Sequence, residues 1–185
     1  DFYQVMGAEL RRLDRLINQL LEVGRLDAVG LGTEPEDVPL EPLIRRAAEM
    51  ATVHHKLVEA EVFQYDCDPV IIHARRLVLE MIFGNLLDNA VKYGGAEPRV
   101  EIEVRLAGPG RVRVRIADNG DGVPSQLRKR IFRMFYRGGS ELERRQKGTG
   151  LGLYIVRTLV HMLKGRISVV NRTGQNGSVF EVELP

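Results

Sequence analysis

The sequence has little of several features that would define other classes of protein. Cys67 is its one cysteine, which excludes an internal disulfide and favours a reducing compartment. No apolar run approaches the roughly 20 residues that a membrane-spanning helix needs, and no signal peptide is visible. An excess of one charge is also lacking, because lysines and arginines alternate with acids and the net charge is +2. The composition therefore does not call for nucleic acid as a partner.

The first 28 residues predict an amphipathic helix. Their apolar positions recur at alternating steps of four and three, which is typical of a helix–helix seam. These positions are Met6, Leu10, Leu13, Ile17 and Leu20, and Leu16 and Leu21 widen the stripe. One such helix is not stable alone and needs partner helices. We expect residues 29–38 to form a linker and residues 39–185 to form the main domain.

The main domain shows both helical and strand patterns. Helices are predicted at 40–56, 75–93, 126–135 and 150–163, and strands at 61–65, 166–170 and 178–184. A hairpin with one polar face is predicted from 100–106 and 112–116, with Glu103 opposite Arg113 and Glu101 opposite Arg115. These elements predict an α+β fold, a two-layer sandwich whose mixed sheet is covered by helices on one face.

Three glycines precede the last predicted helix, at Gly148, Gly150 and Gly152. Glycines followed by a helix N-terminus favour a phosphate site, although glycine turns that bind nothing also look like this. A dinucleotide site would need a strand before the glycines, and residues 141–147 are charged instead. A P-loop would need a Gly-Lys-Ser/Thr ending, which the motif lacks.

Two further segments carry candidate binding groups. Asn85, Asn89 and Lys92 share one helix face, where an amide oxygen suits Mg²⁺ and the lysine suits phosphate. A solvated surface face is the alternative interpretation. Asp118 ends a predicted strand and precedes Gly120 and Gly122. Its carboxylate is suited to accept from the exocyclic amine of adenine, although such a string is also typical of a β-turn.

Taken in order, the asparagine helix, the Asp118 segment, the phenylalanines near 132–135 and the glycine run resemble a known family. They resemble the catalytic, ATP-binding domain of bacterial sensor histidine kinases, within the gyrase, chaperone, histidine-kinase and MutL ATPase superfamily. The resemblance covers residues 39–185, and residues 1–28 look like the second helix of the family's dimerisation and phosphotransfer hairpin. It implies transfer of the ATP γ-phosphoryl to a histidine and then to an aspartate of a response regulator.

The resemblance also implies a role for individual residues. Asn89 would bind Mg²⁺, Asn85 and Lys92 would act on the phosphates with Arg137, and Asp118 would bind adenine. Residues 124–147 would form an ATP lid, anchored by Phe132, Phe135 and Tyr136. The complete implied nucleotide site is Asn85, Asn89, Lys92, Tyr93, Asp118, Gly120, Gly122, Val123, Tyr136, Arg137, Lys147, Gly148, Thr149, Gly150, Leu151, Gly152, Leu153 and Ser178.

Two departures from the family pattern refine the expected chemistry. The family's phosphoacceptor histidine stands in a His-Glu/Asp-x-x-Thr/Asn-Pro stretch, and none of His54, His55, His73 and His161 has that context. The acceptor is therefore expected outside this fragment. Hydrolytic relatives place a glutamate four residues before the Mg²⁺-binding asparagine, where this chain has Asn85, which cannot act as a base. This favours phosphoryl transfer over a hydrolytic ATPase, and the intact motifs argue against a nucleotide sensor with a dead site.

The expected ligands and partners follow from the same resemblance. They are ATP and ADP with Mg²⁺, a response-regulator receiver domain, and a second copy of the protein joined through the N-terminal helix. No nucleic acid is expected. The fragment is expected to be the cytoplasmic domain of a membrane-anchored bacterial sensor.

Overall fold

The computed structural model describes residues 34–136 and 150–185. The predicted helix at 1–28 and residues 29–33 of the predicted linker lie outside the described residues. The helices are α1 (Leu40–His55), α2 (Glu59–Val62), α3 (Arg76–Tyr93) and α4 (Gly152–Met162), with a 3₁₀ turn at Ser125–Leu127. The strands are β1 (Glu36–Pro39), β2 (Phe63–Cys67), β3 (Ile71–Ala74), β4 (Val100–Leu106), β5 (Val112–Asp118), β6 (Arg166–Asn171) and β7 (Ser178–Leu184).

Five strands form the main sheet, in the order β2-β4-β5-β7-β6. The β2–β4 pair is parallel and the other three pairs are antiparallel, so the sheet is mixed. β1 and β3 pair separately as a small antiparallel ladder. The order places β5 beside β7 although they are far apart in the sequence, since β5 ends at Asp118 and β7 begins at Ser178. This long-range pairing brings Asp118 next to the start of β7.

One face of the sheet is apolar and is covered by helices. Alternate residues of β4 and β5 are buried, and α3 packs on this side between α1 and α4. The buried apolar residues of the two strands are Val100, Ile102, Val104, Val112, Val114 and Ile116. The opposite face carries ion pairs such as Arg113 with Glu183. The predicted fold class, a mixed sheet with helices on one face, is confirmed for the described residues.

The predicted register of the β4–β5 hairpin is wrong by two residues. Glu103 lies opposite Arg115, and Arg105 lies opposite Arg113. The tight turn decides this, because Ala107 N donates to Arg111 O and fixes Leu106 opposite Val112. A shift of two residues keeps every side chain on its own face.

The facing arginines are accommodated by the strands on either side. Arg105 donates hydrogen bonds to Asp66 on β2, and Arg113 Nη2 lies 3.0 Å from Glu183 Oε1 on β7. These hydrogen bonds raise the pKa of both guanidinium groups above its ordinary value. Acids on the neighbouring strands β2 and β7 therefore offset the cost of opposing two like charges.

The sequence pattern also missed some local structure. The strands β1 and β3 were not predicted, because each is only four residues long and too short for a periodic signal. The strand expected at 61–65 is the short helix α2 followed by β2. The helix expected at 126–135 is only the 3₁₀ turn followed by irregular turns. Within the described residues, no helix is long and apolar enough to cross a membrane.

Candidate nucleotide-binding site

The helix α3 carries a polar stripe between two buried sides. Asn85, Asn89 and Lys92 are only partly buried, while the apolar residues of this stretch pack inward, among them Ile82, Phe83, Leu86, Leu87 and Val91. Asn85 Nδ2 donates to Met81 O at 2.8 Å, one turn back on the same helix. That bond fixes the amide so that its nitrogen is engaged with the helix and its oxygen faces away.

The first turn of α4 meets this stripe at close range. A Cβ on Gly152 would lie 2.7 Å from Asn85 Oδ1 and 4.0 Å from Asn89 Nδ2. Only glycine allows this approach without moving the Asn85 side chain. Gly152 is the first residue of α4, and no side chain of the described residues caps the helix there. The free N–H groups and the positive end of the helix dipole therefore lie next to the two asparagines, an arrangement that suits an anion.

The flanking glycine-run residues have different surroundings. Leu151 is fully buried, and its carbonyl accepts from Ile155 N to start the helix. Leu153 packs against the core from a partly buried position. Gly150 lies against the backbone of Phe135 and Tyr136, since a Cβ there would be 2.8 Å from Tyr136 O. Residues 135–136 therefore contact the backbone at residue 150.

A buried carboxylate forms the other end of the candidate site. Asp118, the last residue of β5, is 4% exposed. Its Oδ1 accepts from Gly120 N at 2.9 Å and from Ser178 N at 3.1 Å, and its Oδ2 accepts from Ser178 Oγ at 2.5 Å. Hydrogen bonds donated to both oxygens stabilise a charged carboxylate that burial alone would disfavour.

A backbone contact connects the two ends. A Cβ on Gly120 would lie 2.2 Å from Tyr93 O, so the turn after β5 packs directly on the last residue of α3. Lys92 Nζ lies 5.0 Å from the centre of the Tyr93 ring, which is within cation–π range. The residues predicted for the base and for the phosphates are therefore joined through the C-terminal end of α3.

Some of the remaining predicted residues are described by the structure, and others lie outside the described residues. Val123 N donates to Asn171 Oδ1 at 2.8 Å, and a Cβ on Gly122 would contact the same Asn171 side chain. Phe132 is buried edge-on against Phe180, with ring centres 6.3 Å apart, while Phe135 is exposed. Tyr136 lies partly buried beneath the Arg130 guanidinium. Arg137, Lys147, Gly148 and Thr149 lie outside the described residues.

Sequence reasoning missed three side chains that support the base end. Arg172 is 11% exposed, and its two Nη atoms donate to Asp118 O at 3.4 Å and Glu101 Oε1 at 2.7 Å. Asn119 accepts from Arg99 N and donates to Glu97 O, which holds the loop after α3. The third is Asn171, described above. None had a sequence signal, because each contacts residues from 20 to 71 positions away.

Comparison with known proteins gives the family. Residues 74–185 match the family described as histidine kinase-, DNA gyrase B- and HSP90-like ATPase. The chain is 36% identical over 91% of its length to the sensor histidine kinase AruS of Pseudomonas aeruginosa, of which it covers 18%. It is 33% identical over its whole length to the sensor protein kinase WalK of Staphylococcus haemolyticus, of which it covers 30%. The chain therefore spans less than a third of these two curated relatives.

Solved structures give the same result. The mycobacterial sensor histidine kinase MprB superposes with a TM-score of 0.71 at 27% identity, covering 82% of this chain and 97% of that one. Full-length ShkA in complex with AMPPNP superposes with a TM-score of 0.73 at 30% identity, covering 94% of this chain and 35% of that one. The resemblance stated from the motifs is confirmed. The chain belongs to the histidine kinase-, DNA gyrase B- and HSP90-like ATPase family, in which it corresponds to the ATP-binding catalytic domain of sensor histidine kinases.

Proposed function

We propose that this chain binds Mg²⁺-ATP between the Asp118 end and the α3–α4 end, and that it delivers the γ-phosphoryl group to a histidine. The observation that carries the proposal is the convergence of Asn85, Asn89 and Gly152 at one end, joined through Tyr93 and Gly120 to the buried Asp118. One end supplies groups for phosphates, and the other supplies an oriented acceptor for the base.

At the base end, Asp118 accepts a hydrogen bond from the exocyclic amine of adenine. Ser178 and Gly120 hold the carboxylate in place, so its orientation is set before the nucleotide arrives. Gly122 and Val123 follow Gly120 in the turn and border the flat base, with Tyr93 on the other side. Buried, oriented acceptors of this kind discriminate strongly against bases that lack the matching donor.

At the phosphate end, the Asn89 amide oxygen is the proposed ligand for Mg²⁺. The donor set fits the ion, since Mg²⁺ takes hard oxygen ligands, keeps several waters and needs few protein groups. When bound, the ion neutralises charge on the phosphates. Lys92 and the N-terminus of α4 bind phosphate oxygens, with Asn85 supporting them. From the family pattern we include Arg137, Lys147, Gly148, Thr149 and Gly150 in this end, with residues 124–147 as the lid.

The groups around Asn89 favour phosphoryl transfer over hydrolysis. The position four residues before Asn89 holds Asn85, whose Nδ2 is engaged with Met81 O. An amide cannot take a proton from water at neutral pH, so no general base stands where hydrolytic relatives have one. The site's contribution is then to position the triphosphate and neutralise charge.

The acceptor and partners are part of the same proposal. None of His54, His55, His73 and His161 stands in the sequence context of the family's phosphoacceptor histidine. We infer that the acceptor histidine lies on another segment, that residues 1–28 join a homodimer, and that a receiver-domain aspartate takes the phosphoryl group next. We place the domain in the cytoplasm, attached to a membrane-anchored sensor.

The test separates binding from transfer. The tag-free 185-residue chain is titrated with a fluorescent ATP analogue in Mg²⁺, and is then incubated with γ-labelled ATP. We expect micromolar binding, no stable label on the chain and little phosphate release. Label on this chain would contradict an external acceptor. Rapid Mg²⁺-dependent phosphate release that is abolished by Asn89→Ala would show a hydrolytic ATPase instead.

A further inference from the structure

Two consecutive histidines converge on one aspartate, and none of the three is among the residues assigned to the nucleotide. His54 Nδ1 lies 2.8 Å from Asp88 Oδ1, and His55 Nε2 lies 2.9 Å from the same oxygen. The histidines end α1, and the aspartate is in the C-terminal half of α3. One ligand-type atom from each of the three residues falls within 4.8 Å of the others. Within residues 34–136 and 150–185, no other histidine, cysteine and acid set of this size is found.

The convergence of neighbouring helix residues depends on which ring nitrogens face Asp88. Successive side chains on a helix diverge by about 100°. Here His54 uses the nitrogen near its backbone and His55 uses the one at the far end of its ring. The rings lie 4.8 Å apart, so both reach the same carboxylate. The helix then stops, because Lys56 adopts a left-handed conformation with φ of 58°.

Two imidazoles and one carboxylate are a suitable donor set for a divalent transition metal. Zn²⁺ is commonly held by three such ligands with water in the fourth position. Each neutral ring offers its lone pair at the inward nitrogen when its proton is on the other nitrogen. The carbonyl end of α1 carries partial negative charge, which also favours a cation. His54 is 73% exposed, so the site is open to solvent.

This cluster differs from the proposed Mg²⁺ position in chemistry. Asp88 precedes Asn89 in sequence, but successive residues point about 100° apart around the helix. Imidazole nitrogens suit zinc-like ions, whereas Mg²⁺ prefers oxygen donors. We propose that His54, His55 and Asp88 form a site for a divalent metal ion of the zinc class, which ties the end of α1 to α3.

The test uses the tag-free chain, since a polyhistidine tag would bind the same ions. Zn²⁺ alone is titrated calorimetrically, and Co²⁺ alone is followed by its visible absorption. We expect one equivalent to bind with micromolar or tighter affinity and with nitrogen–oxygen Co²⁺ bands. His54→Ala and His55→Ala should each weaken binding by about tenfold or more, as loss of groups that hold a metal does.

A matched control is available in the β1–β3 ladder. His73 Nδ1 lies 2.8 Å from Asp37 Oδ1, so it forms a similar pair without a second histidine. His73→Ala should leave Zn²⁺ affinity unchanged, and Cys67→Ser should do so too. Zn²⁺ should raise the unfolding temperature of the wild type and not that of His54→Ala, whose exposed side chain is not needed for folding. Absence of saturable binding, or equal loss in the His54 and His73 variants, would overturn the proposal.

Discussion

The two ends of the candidate site are built differently. At the base end, both oxygens of Asp118 accept hydrogen bonds from the protein, and Arg172 donates to the neighbouring carbonyl. At the phosphate end, Asn85 is tied to its own helix, while no hydrogen bond of the Asn89 amide is found within the described part of the chain. The Asp118 carboxylate is therefore held in place by the protein itself, whereas fewer of the polar groups at the phosphate end are held in this way.

Because of this difference, substitutions at the two ends should affect stability and nucleotide binding differently. Polar groups at the base end are buried and paired. If an acceptor there is removed, the buried donors that it served cannot form hydrogen bonds to water instead. Groups at the phosphate end are half-buried, and water can replace what a substitution removes. Substitutions at the base end should therefore reduce both stability and nucleotide affinity. Substitutions at the phosphate end should reduce affinity alone.

The largest expected effect is that of Asp118→Ala. It leaves Gly120 N, Ser178 N and Ser178 Oγ without their acceptor, at a cost of roughly 1–3 kcal/mol for each buried donor that stays unpaired. Binding of the fluorescent ATP analogue should fall below detection. Urea unfolding measures the stability change. Asp121→Ala, an exposed acid in the same turn, should change stability by no more than about 0.5 kcal/mol, and equal losses in both variants would contradict a specific role for Asp118.

Gly120→Ala should have the second largest effect, because the added methyl group has no room. Its new methyl group would lie 2.2 Å from Tyr93 O, a backbone atom that cannot rotate away. Overpacking of this kind costs about 1–3 kcal/mol, and the displaced turn should weaken nucleotide binding as well. Gly84→Ala is the control. Gly84 lies on α3, as Tyr93 does, and a Cβ on Gly84 would have no neighbour within 4 Å. It should stabilise the protein by up to about 1 kcal/mol and leave affinity unchanged.

Gly152→Ala should reveal the contrasting behaviour of the phosphate end. The clash is with the end of the Asn85 side chain, which can turn aside, and alanine favours the helix. Unfolding free energy should therefore stay within about 1 kcal/mol of the wild type, since alanine gains about that much over glycine in a helix. Nucleotide affinity should fall by roughly tenfold, or about 1.4 kcal/mol. A large loss of stability without a loss of binding would refute the distinction between the two ends.

Ser178→Ala is expected to have the smallest effect. It removes the Oγ–H bond to Asp118 but keeps the Ser178 N bond, so the carboxylate retains an acceptor role toward both backbone donors. The loss should be about 1 kcal/mol of stability, the usual contribution of one hydrogen bond, and a few-fold in affinity. Ser178→Thr keeps the hydroxyl and should recover both quantities, unlike the alanine variant.

What could be predicted from the sequence depended on periodicity. The spacing of Asn85, Asn89 and Lys92 follows directly from the helical repeat, and the alternation of Val100 to Leu106 predicted β4 correctly. Short elements such as β1 and β3 span too few residues to show a period. The hairpin register was set by turn hydrogen bonds and by acids on β2 and β7, which no local pattern contains.

The contacts within the candidate site could not be predicted from local patterns either, because they join residues that are far apart in the sequence. Asp118 was proposed from its place at a strand end and Ser178 from the family resemblance, but their contact depends on β5 lying beside β7. Arg172 had no local signal, because its role exists only once that pairing has formed. Close approaches, such as that of Gly152 to Asn85, likewise need the packed helices to be seen.

The most direct test of the account is the Mg²⁺ dependence of ATP-analogue binding by the 185-residue chain, with wild type, Asn89→Ala and Asn89→Asp compared. The account predicts that Mg²⁺ strengthens binding to the wild type and not to Asn89→Ala, that the aspartate variant recovers part of the gain, and that all three unfold at similar urea concentrations. Equal strengthening by Mg²⁺ in wild type and Asn89→Ala would contradict the assignment of Asn89 as the metal ligand and of α3 as the phosphate end.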